Sequence, residues 1–280
     1  MSPNRCLLCQ GTSFTEQAYF SGTTDRYKDL QFIYARCQGC GSIKNTTTEN
    51  IDYTDYPTGK SISSHKVQCF LKLLQQQHIT TSHKILDYGC GNGALLSALC
   101  KKGYDIDGYE PHHPPFGQLE PGKTFDLIYL THVFEHLPNY EEFFAHLQLL
   151  TKPGSRIITI HPSSSRMPKL NPKSPFQAFT IHAPYHLTIP SDQATVNMFT
   201  HHGYELQKLY TYDVQRSGWK DNSRVSALLA QALGTKEEWL AASKKKKILA
   251  VLRSPFSFFD ALFLRTKDKL VSTFVFERTK

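Results

Sequence analysis

One stretch constrains this chain more than any other: KILDYGCGNGALLSALCKKGYDIDGYEP, residues 84–111. An apolar run meets glycines at alternate positions, Gly89, Gly91 and Gly93, and apolar residues at helical spacing follow. The pattern predicts a strand over 84–89, a sharp turn, a helix over 94–102 and a second strand over 104–109. Glycine is needed in such a turn because only a residue without Cβ lets the backbone bend sharply and approach a ligand closely. Strand, helix and strand in succession make a βαβ unit, whose crossover sets the two strands parallel.

The alternation continues downstream. Strands are expected at 125–130, 156–161 and 204–212, helices at 140–150 and 191–202, and a last strand at 269–278. Ser191 supplies an N-cap and Gly203 a stop. Upstream, Ile62, Val67, Phe70, Leu71, Leu73 and Leu74 recur at helical spacing and predict a helix over 61–78. The fold class is therefore α/β, with a mostly parallel sheet and crossover helices. At 280 residues, 40% apolar and 20% charged, the chain has room for one such domain with a packed core plus a small accessory module. The loop after His161 carries five prolines over about 25 residues, long enough to suggest a substrate lid.

Glu110 ends the second strand 21 residues after Gly89, where a carboxylate can accept two hydrogen bonds from ribose hydroxyls. The turn thus points to a nucleoside-containing cofactor. With Ala94 following, the glycines alone fit both a dinucleotide and S-adenosylmethionine. Asp87 separates them: two residues before the first glycine, it would oppose a doubly negative pyrophosphate but attract an ammonium and a sulfonium.

With LDYGCGNG, GYEP, FDLIYLTHVFEHLPN and LLTKPGSRIITIHP in order over 84–162, the chain resembles the Rossmann-like core of class I S-adenosylmethionine-dependent methyltransferases. The resemblance implies that Asp87, Gly89, Gly91 and Gly93 line the methionine part and Glu110 the ribose, with Thr131 and His132 near the cofactor. It departs from the pattern at 111–124. Only 14 residues, four of them proline, stand where related enzymes place a helix and a strand that form the adenine pocket. His112, His113 and Phe116 offer a substitute platform for adenine.

The first four of seven cysteines fall in two C-x-x-C pairs, Cys6/Cys9 and Cys37/Cys40, with 27 residues between. Four thiolates in two knuckles suit tetrahedral structural zinc, and about 45 residues bury too little apolar surface to fold without such help. A redox pair is the weaker alternative, since thiol-disulfide motifs rarely come doubled on a loop-rich segment. The segment resembles the zinc-ribbon-like amino-terminal module of some bacterial small-molecule and sugar methyltransferases. The expected organisation is a zinc module at 1–44, a polar linker at 45–60 and a methyltransferase domain at 61–280, of which 213–280 is a basic extension with the last strand.

Methyl transfer requires an aligned acceptor and, for a protonated acceptor, a base. The candidates are His136, after the 125–130 strand, and His186 in IHAPYHLT, with His182 and Tyr185 beside it. In related enzymes a Glu-His pair and a later His-Leu element border the acceptor pocket. His132-Val-Phe-Glu135-His136 also matches the H-x-x-E-H zinc-peptidase motif, but Pro138 argues against the long helix that motif needs.

The net charge of +8 is concentrated: residues 244–280 hold ten Lys/Arg against three Asp/Glu, or +7. The tail suits either an interfacial contact with anionic lipid or, preferably, a helical hairpin packed on the sheet. It lacks the basic and aromatic interleaving of a nucleic-acid platform. The first residues have no apolar signal segment and the cysteines are not a disulfide framework, so a cytoplasmic setting is expected. The reading reached is methyl transfer to a small-molecule acceptor such as a sugar or another hydroxylated metabolite. The alternatives are a catalytically silent binding protein on the same fold and an RNA methyltransferase.

Overall fold

A computed structural model describes residues 5–47, 51–53, 56, 62–111, 115–214 and 270–279. Six strands form the main sheet: β4 (Lys84–Tyr88), β5 (Asp105–Tyr109), β6 (Phe125–Thr131), β7 (Thr151–Pro162), β9 (Tyr204–Tyr210) and β10 (Val271–Arg278). Their order is β5-β4-β6-β7-β10-β9. The pairings β5-β4, β4-β6 and β6-β7 are parallel, while β10 runs antiparallel to both its neighbours. This is the Rossmann-like architecture expected from the sequence.

Both faces of the sheet are covered, and the strands show it. In β6, Leu127 and Tyr129 pack into one apolar cluster and Ile128 and Leu130 into the other. That is the period of two of a strand buried on both sides, so its sequence reads as a continuous apolar run. Helices α1 (Ser64–Gln76) and α2 (Ala94–Cys100) supply Phe70, Leu73, Leu74, Leu95 and Leu99 to one face. Helices α3 (Tyr140–Leu150) and α5 (Asp192–His201) cover the other with Phe143, Phe144, Leu147 and Phe199. Side-chain oxygens of Ser63, Asn139 and Ser191 accept from backbone N–H groups three residues on and set where α1, α3 and α5 begin.

The expected core elements fall where the sequence puts them, and the differences lie in β7, the amino-terminal segment and the proline-rich loop. Strand β7 begins at Thr151, well before the expected 156, because Phe125 pairs with Thr151 across a register shift that takes in Pro153 and Gly154. The amino-terminal segment, for which no strands were expected, forms β1 (Phe14–Ser21), β2 (Gln31–Cys37) and β3 (Ile43–Asn45), an antiparallel sheet.

That second sheet takes its fourth strand from elsewhere. β8 (Thr188–Ile189), at the end of the proline-rich loop, pairs with β3. The loop expected to be a lid is instead a packed structure. It holds α4 (Pro175–Ile181), and Met167, Ile181, Ala183, Tyr185 and Ile189 share a cluster with Phe20, Phe32, Tyr34 and Ile43. Polar contacts reinforce it: Arg36 donates to Glu16, Gly41 O and Met167 O, and the Tyr34 hydroxyl donates to His186 O at 2.9 Å. The basic segment at 244–269, with the lipid and hairpin readings attached to it, lies outside the described residues. Among the described residues no helix is long and apolar enough to cross a membrane.

Candidate functional site

The glycine turn follows β4 directly. Gly89, Gly91 and Gly93 have φ of 83°, 54° and 71°, the left-handed region that side chains resist. A Cβ on Gly89 would stand 2.2 Å from Val133 Cγ2, whereas one on Gly91 would meet nothing within 4 Å. Gly89 therefore lets the segment after β6 lie against the turn, and Gly91 faces open space. Glu110 folds back so that its Oε2 accepts the Gly91 N–H at 3.3 Å. Asp87 is only 6% exposed, and burial, reinforced by the negative charge of Glu110, pushes its carboxyl up to about 7. Two acids thus flank the turn, a setting that favours a positively charged ligand. Thr131, at the end of β6, holds a buried Oγ1 with no hydrogen-bond partner among the described residues.

β5 is the outer strand on this side of the sheet, as the short 111–124 segment requires. That segment loops back: Glu110 N–H donates to Phe116 O at 2.9 Å, and the Phe116 ring lies over Gly93. His112 and His113 lie outside the described residues.

Beyond Val133 the chain makes a single 3-10 turn, Phe134–His136, instead of the α-helix an H-x-x-E-H peptidase motif needs. Glu135 is fully buried, and burial pushes its carboxyl up against the opposing effect of His136 and His161. Three imidazoles surround it. His132 Nδ1 is 3.0 Å from Glu135 Oε1, His186 Nε2 is 3.8 Å from the same oxygen, and the His136 and His186 rings meet edge to face at 4.7 Å. Donation from the Leu187 N–H to Glu135 O, at 2.9 Å, holds the two chain segments together. His132, expected near the cofactor, turns its ring toward Glu135 and so joins the histidine cluster.

Two residues that sequence reasoning missed complete this cluster. Tyr53 and Tyr56, from the stretch read as a polar linker, pack against Tyr185 and His136, and the Tyr56 hydroxyl is 3.4 Å from His136 Nε2. Burial raises the Tyr56 phenol, and the charges of both Glu135 and Glu110 push it further the same way. The available signal was the pair of tyrosines in IDYTDYP, unusual in a connector.

The four amino-terminal cysteines converge, their sulfurs all within 4.8 Å of one another. Cys6 and Cys40 are 3.6 Å apart and Cys9 and Cys37 3.4 Å apart. A tetrahedral zinc with bonds of about 2.3 Å has sulfur–sulfur edges of about 3.8 Å, so the quartet fits that ion. Gly11 packs tightly on this site, since a Cβ there would stand 3.3 Å from Cys9 Sγ, whereas one on Gly39 would make an ordinary contact at 3.5 Å. Cys90 packs on Gly108 inside the glycine turn, the small filler its position suggested. A separate groove of about 370 Å³ between α1 and β9 shares no lining residue with these sites.

Known proteins are similar to this chain in sequence. Residues 64–209, just over half of the chain, match the family described as "Methyltransferase domain". The ubiquinone biosynthesis O-methyltransferase of Coxiella burnetii is 27% identical over 124 residues, covering 36% of this chain and 53% of that one. Its counterpart in Rhodopseudomonas palustris is 22% identical over 136 residues, covering 36% and 54%. The chain therefore spans about half the length of the curated relatives it matches. Among solved structures, Haemonchus contortus phosphoethanolamine N-methyltransferase 2 with S-adenosyl-L-methionine aligns at a TM-score of 0.49 and 12% identity, covering 94% of this chain and 69% of that one. By the match across its whole βαβ core, this chain belongs to the methyltransferase-domain family.

Proposed function

We propose that this protein transfers a methyl group from S-adenosylmethionine to a hydroxylated small molecule, a sugar or a comparable metabolite. The observation that carries the reading is the meeting of two half-sites at Gly89 and Val133. One side is acidic and open at Gly91; the other is a buried cluster of His132, Glu135, His136 and His186. Asp87 attracts the ammonium and sulfonium, Glu110 takes the ribose hydroxyls, and the orphaned Thr131 Oγ1 meets a polar edge of the cofactor. Phe116 gives adenine an apolar face in place of the missing strand.

On the acceptor side, His136 and His186 are the candidate bases. Each holds its Nδ1 proton on a carbonyl, Tyr185 O at 2.9 Å and Thr180 O at 2.7 Å, which makes Nε2 the basic nitrogen; in His136 that atom meets the Tyr56 hydroxyl at 3.4 Å. Cys6, Cys9, Cys37 and Cys40 hold a structural zinc whose role is to fold the module at 1–44. This second sheet presents the His186 segment through β3 and β8.

Calorimetry with S-adenosylmethionine, followed by product detection with hydroxylated acceptors, tests the reading. We expect binding in the wild type and in His186→Ala, with turnover in the variant reduced about 10²–10⁴-fold, as for loss of a general base. No binding at millimolar cofactor would sink it. Binding without turnover on any acceptor would favour a silent binding protein, the reading that the shortened 111–124 segment supports.

A further inference from the structure

Helix α1 carries a second stripe beside the one it buries. Phe70 and Leu74 pack into the core, whereas His65, Cys69, Lys72 and Gln76, at i, i+4, i+7 and i+11, line one wall of the groove between α1 and β9. Within that stripe a thiol meets an imidazole. Cys69 Sγ is 3.6 Å from His65 Nε2, within hydrogen-bond reach for sulfur, and both residues are half-buried.

At about 370 Å³ the groove has room for a small ligand rather than a folded partner. Tyr210 and Tyr212 form its opposite wall, and the Tyr210 hydroxyl donates to Gln76 Oε1 at 3.3 Å, which ties the two walls together at one end. Among the described residues that line it there is a cation, Lys72, and no Asp or Glu. On the same strand as Tyr210, Lys208 lies over the Tyr210 ring at 5.0 Å. Such surroundings favour an anionic ligand and, for the same reason, a thiolate over a thiol.

We propose that Cys69, assisted by His65, is a reactive thiol that forms a mixed disulfide with a small disulfide carrying carboxylates. His65 Nε2 takes the Cys69 proton, and Lys72 attracts the carboxylates of the incoming molecule. The Cys69 thiolate then attacks one sulfur of that disulfide. A new S–S bond forms, the old one breaks, and the departing thiolate takes the proton that His65 held, so the disulfide is itself the oxidant. Exposure alone predicts a different target. Cys100, on α2, is exposed, whereas Cys69 is half-buried, so a thiol chosen by accessibility is Cys100 and a thiol chosen by its neighbours is Cys69. The groove shares no lining residue with the glycine turn or the histidine cluster, and the inference stands apart from the methyl-transfer reading.

The test is reaction of the full-length, zinc-loaded chain with glutathione disulfide at pH 7, followed by peptide mapping with mass spectrometry. Cys69 should acquire the adduct at least about threefold faster than Cys100. His65→Gln should slow reaction at Cys69 by about threefold or more and leave Cys100 unchanged. Lys72→Gln should lower the preference for glutathione disulfide over uncharged hydroxyethyl disulfide at Cys69 alone. Zinc content and thermal midpoint, unchanged in both variants, report that they are folded. Reaction at Cys100 as fast as at Cys69 in the wild type, or faster, would overturn the proposal, and that comparison needs no variant. A Cys69 rate indifferent to His65→Gln would overturn it as well, and a full preference kept by Lys72→Gln would overturn the anionic class of the ligand.

Discussion

The glycine turn and the histidine cluster lie side by side but are built in opposite ways. The turn is continuous in the chain: Asp87, Gly89, Gly91, Gly93 and Glu110 come from one βαβ unit and depend on its backbone. The cluster is assembled from three distant pieces, Tyr53 and Tyr56, the 132–136 turn and the 182–186 segment. It is held by a sheet whose strands come from both ends of that span. One half-site is therefore intrinsic to the core, and the other depends on how the amino-terminal segment docks. Damage to one should leave the other largely intact.

The largest effect is expected from loss of the zinc proposed for the amino-terminal cysteines. Cys37→Ser should remove the zinc and, with it, much of the free energy that folds the segment. β3 would lose its order, and β8 with the His186 segment would lose its partner strand. Turnover should fall by more than about tenfold, while S-adenosylmethionine affinity changes by less than about threefold. A parallel collapse of cofactor affinity, measured by calorimetry, would show that the two halves are one cooperative unit.

Gly89→Ala attacks the opposite half. Its φ of 83° and the 2.2 Å approach to Val133 Cγ2 combine backbone strain with a clash. We expect a destabilisation of about 1–3 kcal/mol and a clear loss of cofactor affinity. Zinc content should be unchanged by metal analysis. Because Val133 leads into Glu135 and His136, turnover at saturating cofactor measures how strongly the halves are coupled.

Asp87→Asn should have the smallest effect, and its sign depends on pH. The Asp87 carboxyl titrates at about 7 in the fold against an ordinary 3.8, so between those values the folded chain holds a proton the unfolded chain has released. This share of stability is present below about pH 4 and lost as pH rises through 7. The cofactor-free wild type should thus melt lower at pH 8 than at pH 5 by more than Asp87→Asn does, as read by thermal shift. Cofactor affinity should fall in the variant at pH 8, where the charged carboxylate attracts the sulfonium. An identical pH dependence in both proteins would rule out Asp87 as the group responsible.

Legibility followed the same division. The strands and helices of the core were readable because each follows from local periodicity, and the Gly89, Gly91, Gly93 and Glu110 spacing marked the acidic glycine turn directly. His136 and His186 were readable as chemically apt residues, but nothing in their spacing of fifty positions brings them to one carboxylate. Tyr53 and Tyr56 sat in a stretch whose polarity suggested a linker. The proline-rich loop suggested a lid because length and prolines describe chain stiffness and say nothing of what covers it.

The sequence by itself determined the α/β core, the acidic glycine turn and the cysteine quartet, because each is fixed by interactions within a short span or by a repeated ligand spacing. Only the tertiary structure decided that Ile189 pairs with Ile43, that Ser191 Oγ donates to Cys40 O, and that Glu135 is sealed among three histidines. The reason is physical. Long-range pairing is selected by the total apolar surface buried and by satisfaction of every buried polar group, sums over the whole fold that no local window contains.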